Sequence, residues 1–287
     1  MATQEVFIRQ LSRSHSWRNG SGPAALSASA IHIWKISLEQ APDRVQAFHE
    51  LLAAGERSKC ERLRLRRDRD AFCICRGGLR LLLGRYAGLA PERVRLRPGR
   101  YGKPGLDPRL RPRDIELNVS HSGRWALIAL AEGRQLGVDI QEIDAPVDSD
   151  LIARRFFSAQ ENEAIRAFAE GMKTAAFYAC WTRKEAAVKA LGESITRLSR
   201  EVVVSADPRG PARILQLPAG GTGRGWHLHD LPVEQGYAAA LCYRGPKAEI
   251  FLWQPDEWGS VLTTVKAARG RSRRTSGSTG DRHRLRS

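Results

Sequence analysis

Apolar and polar residues alternate over Ile31 to Ser37 (IHIWKIS), the two-residue period of a strand. From Asp43 to Leu89 the period lengthens, with apolar residues at three- and four-residue steps, which predicts two helices; Pro91 to Arg97 returns to alternation. Trp125 to Ala131 and Leu136 to Ile140 are β-rich apolar runs separated by Glu132-Gly133-Arg134, and a hairpin is the economical reading. Ser158-Ala159-Gln160-Glu161 has the pattern of a capping box opening a helix. A further helix is predicted over about Ala175 to Leu191, stopping near Gly192. Short strands are predicted at Val202 to Ser205, Ile214 to Leu217, Trp226 to Leu231 and Tyr237 to Cys242. Strand, helices, strands thus occur twice, without a sequence repeat between them. The expected fold is α+β, built as two α+β halves: residues 30–134 and 135–255, after a flexible segment 1–29 and before a basic disordered tail 256–287.

Composition sharpens the ends of this picture. The chain has 287 residues, 42% of them apolar, enough for a sizeable core. Lys and Arg number 47 against 31 Asp and Glu, a formal charge of +16 that favours polyanionic partners. Eight basic residues against Asp281 alone, with Gly and Ser between them, fill Lys266 to Ser287, so much of the excess lies outside any core. A second basic region runs from Arg57 to Arg113. The segment through Ala30 is rich in Arg and Ser, a composition shared by transit peptides and frayed termini. The five cysteines lack the paired spacing of a zinc site or disulfide framework, and no stretch has the apolar length of a membrane span. A reducing, cytoplasmic setting is expected, with no membrane association.

Four clusters could carry chemistry. On a strand, Asp139 and Gln141 of Gly137-Val138-Asp139-Ile140-Gln141-Glu142 share one face while Val138 and Ile140 anchor the other, so the polar pair suits a hard cation. A solvated strand end is the competing reading. In Trp181-Thr182-Arg183-Lys184-Glu185-Ala186-Ala187-Val188-Lys189, residues 181, 185 and 189 fall within an arc of about 80° on a helix, while Phe177, Trp181, Lys184 and Val188 mark a stripe facing core. Glu185 and Lys189 could equally be an ordinary surface ion pair. Asn118-Val119-Ser120-His121-Ser122-Gly123 reads as a turn whose N–H groups, with Ser120 and His121, could meet phosphate oxygens. Tyr101-Gly102-Lys103-Pro104 reads as a turn presenting one ammonium.

Taken jointly, YGKP, NVSHSG, LGVDI, RFFS-x-x-E and W-T-x-K-E-A-x-x-K resemble the 4′-phosphopantetheinyl transferases of the surfactin-synthetase-activating type, over about Ile31 to Tyr243. The resemblance implies two similar halves in pseudo-twofold arrangement with the active site at their interface. It implies a Mg²⁺-dependent enzyme that moves the phosphopantetheine arm of coenzyme A onto a serine of an apo carrier protein of fatty-acid, polyketide or nonribosomal-peptide type. Asp139, Gln141 and Glu185 are then the expected metal ligands, and Glu185 and Lys189 the catalytic pair. Lys189, Lys103, Ser120 and His121 are expected on phosphate, with Arg57, Lys59 and Arg76, and also Arg80, toward the nucleotide. Gln141 stands where many members carry a third acid, and Glu161 matches a family acid near the metal while also occupying the third position of the capping box. Two similar halves in one chain would let a monomer build the site. A basic nucleic-acid-binding protein explains the tail but none of the clusters, so nucleic acid is not an expected partner; an inactive member acting as a binding module is the rival that Gln141 raises.

Overall fold

The structure is a computed structural model that describes residues 16–20, 22, 25–99, 104–107, 109, 114–143 and 148–255. Lys103, the C-terminal tail and most of the N-terminal segment lie outside the described residues. In chain order the elements are β1 (Arg18–Asn19), β2 (Ala30–Ser37), α1 (Pro42–Glu50), α2 (Ala54–Glu61), α3 (Arg66–Ala87), β3 (Leu96–Pro98), β4 (Pro104–Leu106), β5 (Ile115–Ser122), β6 (Trp125–Glu132), β7 (Leu136–Glu142), α4 (Ser149–Phe156), α5 (Ala159–Arg166), α6 (Glu170–Ala190), α7 (Ile195–Leu198), β8 (Val203–Val204), β9 (Ile214–Gln216), β10 (Trp226–Asp230), β11 (Tyr237–Arg244) and β12 (Glu249–Gln254). A five-stranded sheet runs β1-β12-β2-β6-β5 and a three-stranded sheet runs β10-β11-β7. The fold is α+β in two halves, each with its own sheet and helices.

Both sheets are covered on both faces. In β2 and β6 the side chains of Trp34, Ile36, Ala126, Ile128 and Leu130 pack with Phe48, Ile74 and Leu83 of α1 and α3. Ile31, Ile33, Leu127 and Ala129, pointing the opposite way, share a core with Val138 and Ile140 of β7 and Ala239 and Leu241 of β11. Ala238, Ala240 and Cys242 on the far face of β11 pack with Cys180, Ala187 and Val188 of α6. The result is helices, sheet, sheet, helices, with the central apolar layer made by both halves.

Three expectations are corrected. Residues 43–89 form three helices instead of two, because α1, α2 and α3 present apolar residues to neighbouring surfaces and the three- and four-residue spacing runs through the breaks. Ala53, extended at the head of α2, donates its N–H to Glu56 Oε2 at 2.9 Å and so starts a new helix. The predicted β6–β7 hairpin does not form: β6 pairs with β2 and β5, whereas β7 pairs with β11. Between them the chain steps from one sheet to the other, and Arg134 fixes the step by donating to Ala28 O and Pro246 O. The hairpin is instead β5–β6, turning at Gly123, whose φ of 53° favours glycine. Finally, residues 135–255 are not self-contained, since β12 returns to the first sheet and runs parallel to β2.

Candidate active site

The site grows from a seam between the two sheets. β5 and β7 lie side by side without a backbone ladder; side chains of β5 take its place. Asn118 Oδ1 accepts from Val138 N at 2.8 Å, Ser120 Oγ from Ile140 N at 3.4 Å and Ser122 Oγ from Glu142 N at 2.9 Å. The two-residue period of β5 sends residues 118, 120 and 122 to the seam and Val119 and His121 to the opposite face. Asn118 to Ser122 is therefore strand, and only Gly123 and Arg124 turn. The expected phosphate turn is corrected accordingly: Ser120 and His121 face different ways.

Gly137 brings α6 onto this seam. A Cβ at residue 137 would lie 2.2 Å from Ala186 O, 2.5 Å from Ala190 N and 2.8 Å from Lys189 Cβ. Only a residue without a side chain allows this approach, which sets Glu185 and Lys189, one helical turn apart, over Asp139. Lys189 Nζ donates to Asp139 Oδ1 at 2.6 Å and to Ser120 Oγ at 3.2 Å, and stands 4.0 Å from Glu185 Oε2. Ser120 Oγ donates to the same Asp139 oxygen at 2.7 Å, and Gln141 Nε2 donates to Asp139 Oδ2 at 3.1 Å. Asp139 is 1% exposed. Burial, and then the charge of Asp139, push the Glu185 carboxyl up to about 7, with Lys189 opposing both. The arrangement is two carboxylates held together by one ammonium.

The remaining residues of the 181–189 segment build the platform. Thr182 bonds to Tyr178 O, and Trp181 packs with Phe156, Phe157 and Phe177. Arg183, fully buried, pairs with Asp230 at 2.6 Å and donates to Ser205 O and Asp207 O. Lys184 pairs with Glu161 at 2.9 Å, both side chains fully buried. Glu161 also caps α5 through Ser158 N and accepts from Val204 N, so both its oxygens are engaged in holding α5 and β8 to α6. Its capping role, one of the two readings of the sequence, is the one the contacts describe.

Beyond the seam a cleft of about 1060 Å³ is lined by Lys59, Arg67, Phe72, Arg76, His121, Arg124 and Glu142, among others. Lys59 and Arg76 both lie against the Phe72 ring, each 5.6 Å from its centroid. Arg57 is not among the lining residues, and Arg80 is 2% exposed, its guanidinium spent on Glu56, Pro91 O and Val94 O. Partial desolvation and then the Lys189 ammonium lower the pKa of His121. Glu142 accepts from the Tyr237 hydroxyl at 2.6 Å on the far side from Asp139. Phe72, Arg67 and the Glu142–Tyr237 pair carried no signal in the sequence; alternation in N-x-S-x-S was the available hint of the seam.

Two family models cover this architecture: the model of the 4′-phosphopantetheinyl transferase superfamily matches residues 135–242, and that of the N-terminal part of 4′-phosphopantetheinyl transferase matches residues 37–133. The 4′-phosphopantetheinyl transferase HetI of Nostoc sp. is 32% identical over 244 residues, 85% of this chain and 98% of HetI. The chain belongs to the 4′-phosphopantetheinyl transferases. The transferase Sfp of Bacillus subtilis is 28% identical over 201 residues, 70% of this chain and 86% of Sfp. A putative 4′-phosphopantetheinyl transferase of Synechocystis sp. is 32% identical over 189 residues, 66% of this chain and 75% of its own. Among the described residues of this transferase no helix is long and apolar enough to cross a membrane, and no three His, Cys, Asp or Glu side chains are grouped as a metal cluster. The donor set nevertheless fits a hard divalent ion. Asp139 and Glu185 supply two carboxylates whose repulsion a cation relieves, Gln141 supplies an amide oxygen, and Mg²⁺ ordinarily adds substrate phosphate and water to so few protein ligands.

Proposed function

We propose that the chain transfers the 4′-phosphopantetheine arm of coenzyme A to a serine hydroxyl of an apo carrier protein, releasing adenosine 3′,5′-bisphosphate. The observation that carries this is Lys189 bonded to Asp139 and facing Glu185 where the two halves meet, beside a cleft lined by Lys59, Arg67, Arg76 and Arg124 together with Glu39, Asp68, Asp70 and Glu142. Coenzyme A would lay its nucleotide and phosphates along Lys59, Arg76 and His121, with Lys103 as a further phosphate contact and Arg57 as a more distant one. Lys189 and the Ser120 hydroxyl would meet the diphosphate; their donors now satisfy Asp139 and would be shared with phosphate.

Asp139, Glu185 and Gln141 would hold Mg²⁺, which when bound neutralises diphosphate charge. The serine oxygen forms a bond to the pantetheine-side phosphorus while the bond from that phosphorus to the bridging oxygen breaks. Glu185 would accept the serine proton, its carboxyl raised to about 7 by burial and Asp139. Lys189 offsets negative charge as the bisphosphate leaves. All these residues come from one chain, which supports a monomeric enzyme. The basic surface suits carrier proteins with acidic faces.

Mixing the protein with coenzyme A, Mg²⁺ and a panel of apo carriers, then weighing the carriers by mass spectrometry, tests the proposal. A gain of one phosphopantetheine on at least one carrier is expected, and no gain on any carrier would reject it. Titrating Mg²⁺ against the Gln141→Glu variant separates an active enzyme from a binding module: the active enzyme requires the metal, and the added charge lowers the concentration needed.

A further inference from the structure

We infer that Cys60 and Cys73 form a disulfide-forming modification site that takes oxidants of the peroxide class and covalently ties α2 to α3. Their sulfurs lie 3.0 Å apart, closer than ordinary non-bonded contact, and both are free thiols. A disulfide needs about 2.05 Å between sulfurs, so roughly 1 Å of movement closes the bond. That movement falls on α2, a helix of eight residues whose buried side chain is Cys60 alone and whose other tie to α3 is Glu56, paired with Arg80 and Arg76. The pair sits in a small apolar cluster with Leu52, Val45 and Phe72, joined to the first core through Val45. Cys75 is two residues further along α3, and the helical turn sends it into a different core.

The pair is placed where a bond has a mechanical consequence. Each cysteine follows a cleft-lining residue: Lys59 precedes Cys60 and Phe72 precedes Cys73, and Lys59 already rests on the Phe72 ring. A bond between the sulfurs would fasten α2, with Lys59, to the α3 segment that carries Phe72 and Arg76. The site stands apart from the transferase reading, because its chemistry can be followed without coenzyme A or a carrier.

Burial, and then the Cys60 sulfur, push the Cys73 thiol up. The Cys60 thiolate attacks one peroxide oxygen and the O–O bond breaks. This gives a sulfenic acid and hydroxide, which leaves as water with the proton lost by the thiol. The Cys73 sulfur then attacks the sulfenic sulfur, forming S–S and releasing a second water. Two thiols are oxidised and one peroxide reduced to two waters. Both cysteines are almost fully buried, at 4% and 3% exposure, so the first step waits on local opening of α2 and the second, between neighbours, is fast.

The full chain is titrated with hydrogen peroxide until Met172 begins to form its sulfoxide, then unfolded, alkylated and digested with trypsin. The expected product is Cys60-Glu-Arg joined to the peptide Asp70 to Arg76, with fragment ions placing the link on Cys73 and dithiothreitol removing it. Cys60→Ser and Cys73→Ser should each abolish the link and Cys75→Ser should retain it. The oxidised wild type should melt at a higher temperature than the reduced protein, and Cys60→Ser should melt at the same temperature in both states. Complete alkylation of Cys60 and Cys73 at the end point, or a link on Cys75, would overturn the site; a link with unchanged melting would overturn the clamp. Should a serine variant not fold, the wild-type cross-link map decides alone.

Discussion

Gly137→Ala isolates the close contact between strand and helix on which the site depends. The new Cβ would start 2.2 Å from Ala186 O and 2.5 Å from Ala190 N, against ordinary contacts of about 3.4 Å or more. Relief requires α6 to retreat from β7 by about 1 Å, because the obstacles are helix backbone and no rotamer change moves them. Alanine in place of glycine stiffens the unfolded chain, a gain of about 0.4–1 kcal/mol, while overpacking costs about 1–3 kcal/mol, so a net loss of up to about 2.5 kcal/mol is expected. The catalytic loss is larger in proportion. Lys189 holds Asp139 at 2.6 Å and Glu185 is one turn away on the same retreating helix, and a misplacement of about 1 Å costs on the order of 10²-fold in rate. The assay pairs urea unfolding with initial rates of holo-carrier formation at saturating coenzyme A, at a temperature where the variant is folded. Wild-type kcat in Gly137→Ala would refute the claim that this approach sets the geometry.

Glu185→Gln should lower kcat by about 10²–10⁴-fold with the fold intact, as expected for loss of a positioned proton acceptor; a rate within a few-fold of wild type would remove Glu185 from that role. Because the Glu185 carboxyl lies near 7, Mg²⁺ binding should release a proton between pH 6 and about 7.5, read as buffer-dependent heats in calorimetry, and buffer-independent heats would contradict the assignment. Lys184→Met leaves Glu161 buried without its partner and should cost about 3–5 kcal/mol in unfolding free energy, whereas the double change Lys184→Met with Glu161→Gln should recover much of it; equal losses would refute the pairing. Burial lowers the pKa of His32, bonded through Nδ1 to the Tyr86 hydroxyl, to about 4. The unfolded chain therefore binds the extra proton first, and His32 withdraws about 2 kcal/mol of stability as pH falls from 7 to 5; urea midpoints of wild type and His32→Asn should converge toward pH 5, and parallel curves would refute this.

The α+β class was legible because β2 carries a clear alternation and α5 a clear start in the Ser158–Glu161 box, whereas α6 begins at Glu170, ahead of the expected Ala175, without a side-chain cap to mark it. The β6–β7 error has a definite source: β6, with apolar partners on both faces, reads as a continuous apolar run, β7 opens on Leu136 and Val138 just after it, and nothing in such a run states which neighbour it pairs with. β12, Glu249 to Gln254, was missed because a short run after Gly245-Pro246 gives no local sign that its partner is more than two hundred residues earlier. Within the site, spacing placed Glu185 and Lys189 on one helical face and Asp139 on a polar strand face, and the fold brings the three together. Which basic residues line the cleft was not legible, since Lys59 differs from Arg57 only in where α2 aims it and Arg76 from Arg80 only in where α3 does.

The return of β12 to the first sheet bears on the order in which the chain can fold on the ribosome. β12 lies between β1 and β2, so until residues 249–254 have been synthesised the outer edge of β2 has no strand beside it and β1 has nothing to join. The nascent first half must emerge with an exposed, apolar strand edge for as long as the second half takes to be made, a period in which such edges invite pairing with other chains. The strand made last among the described elements is thus the one that closes the sheet begun first, and the two halves finish folding together.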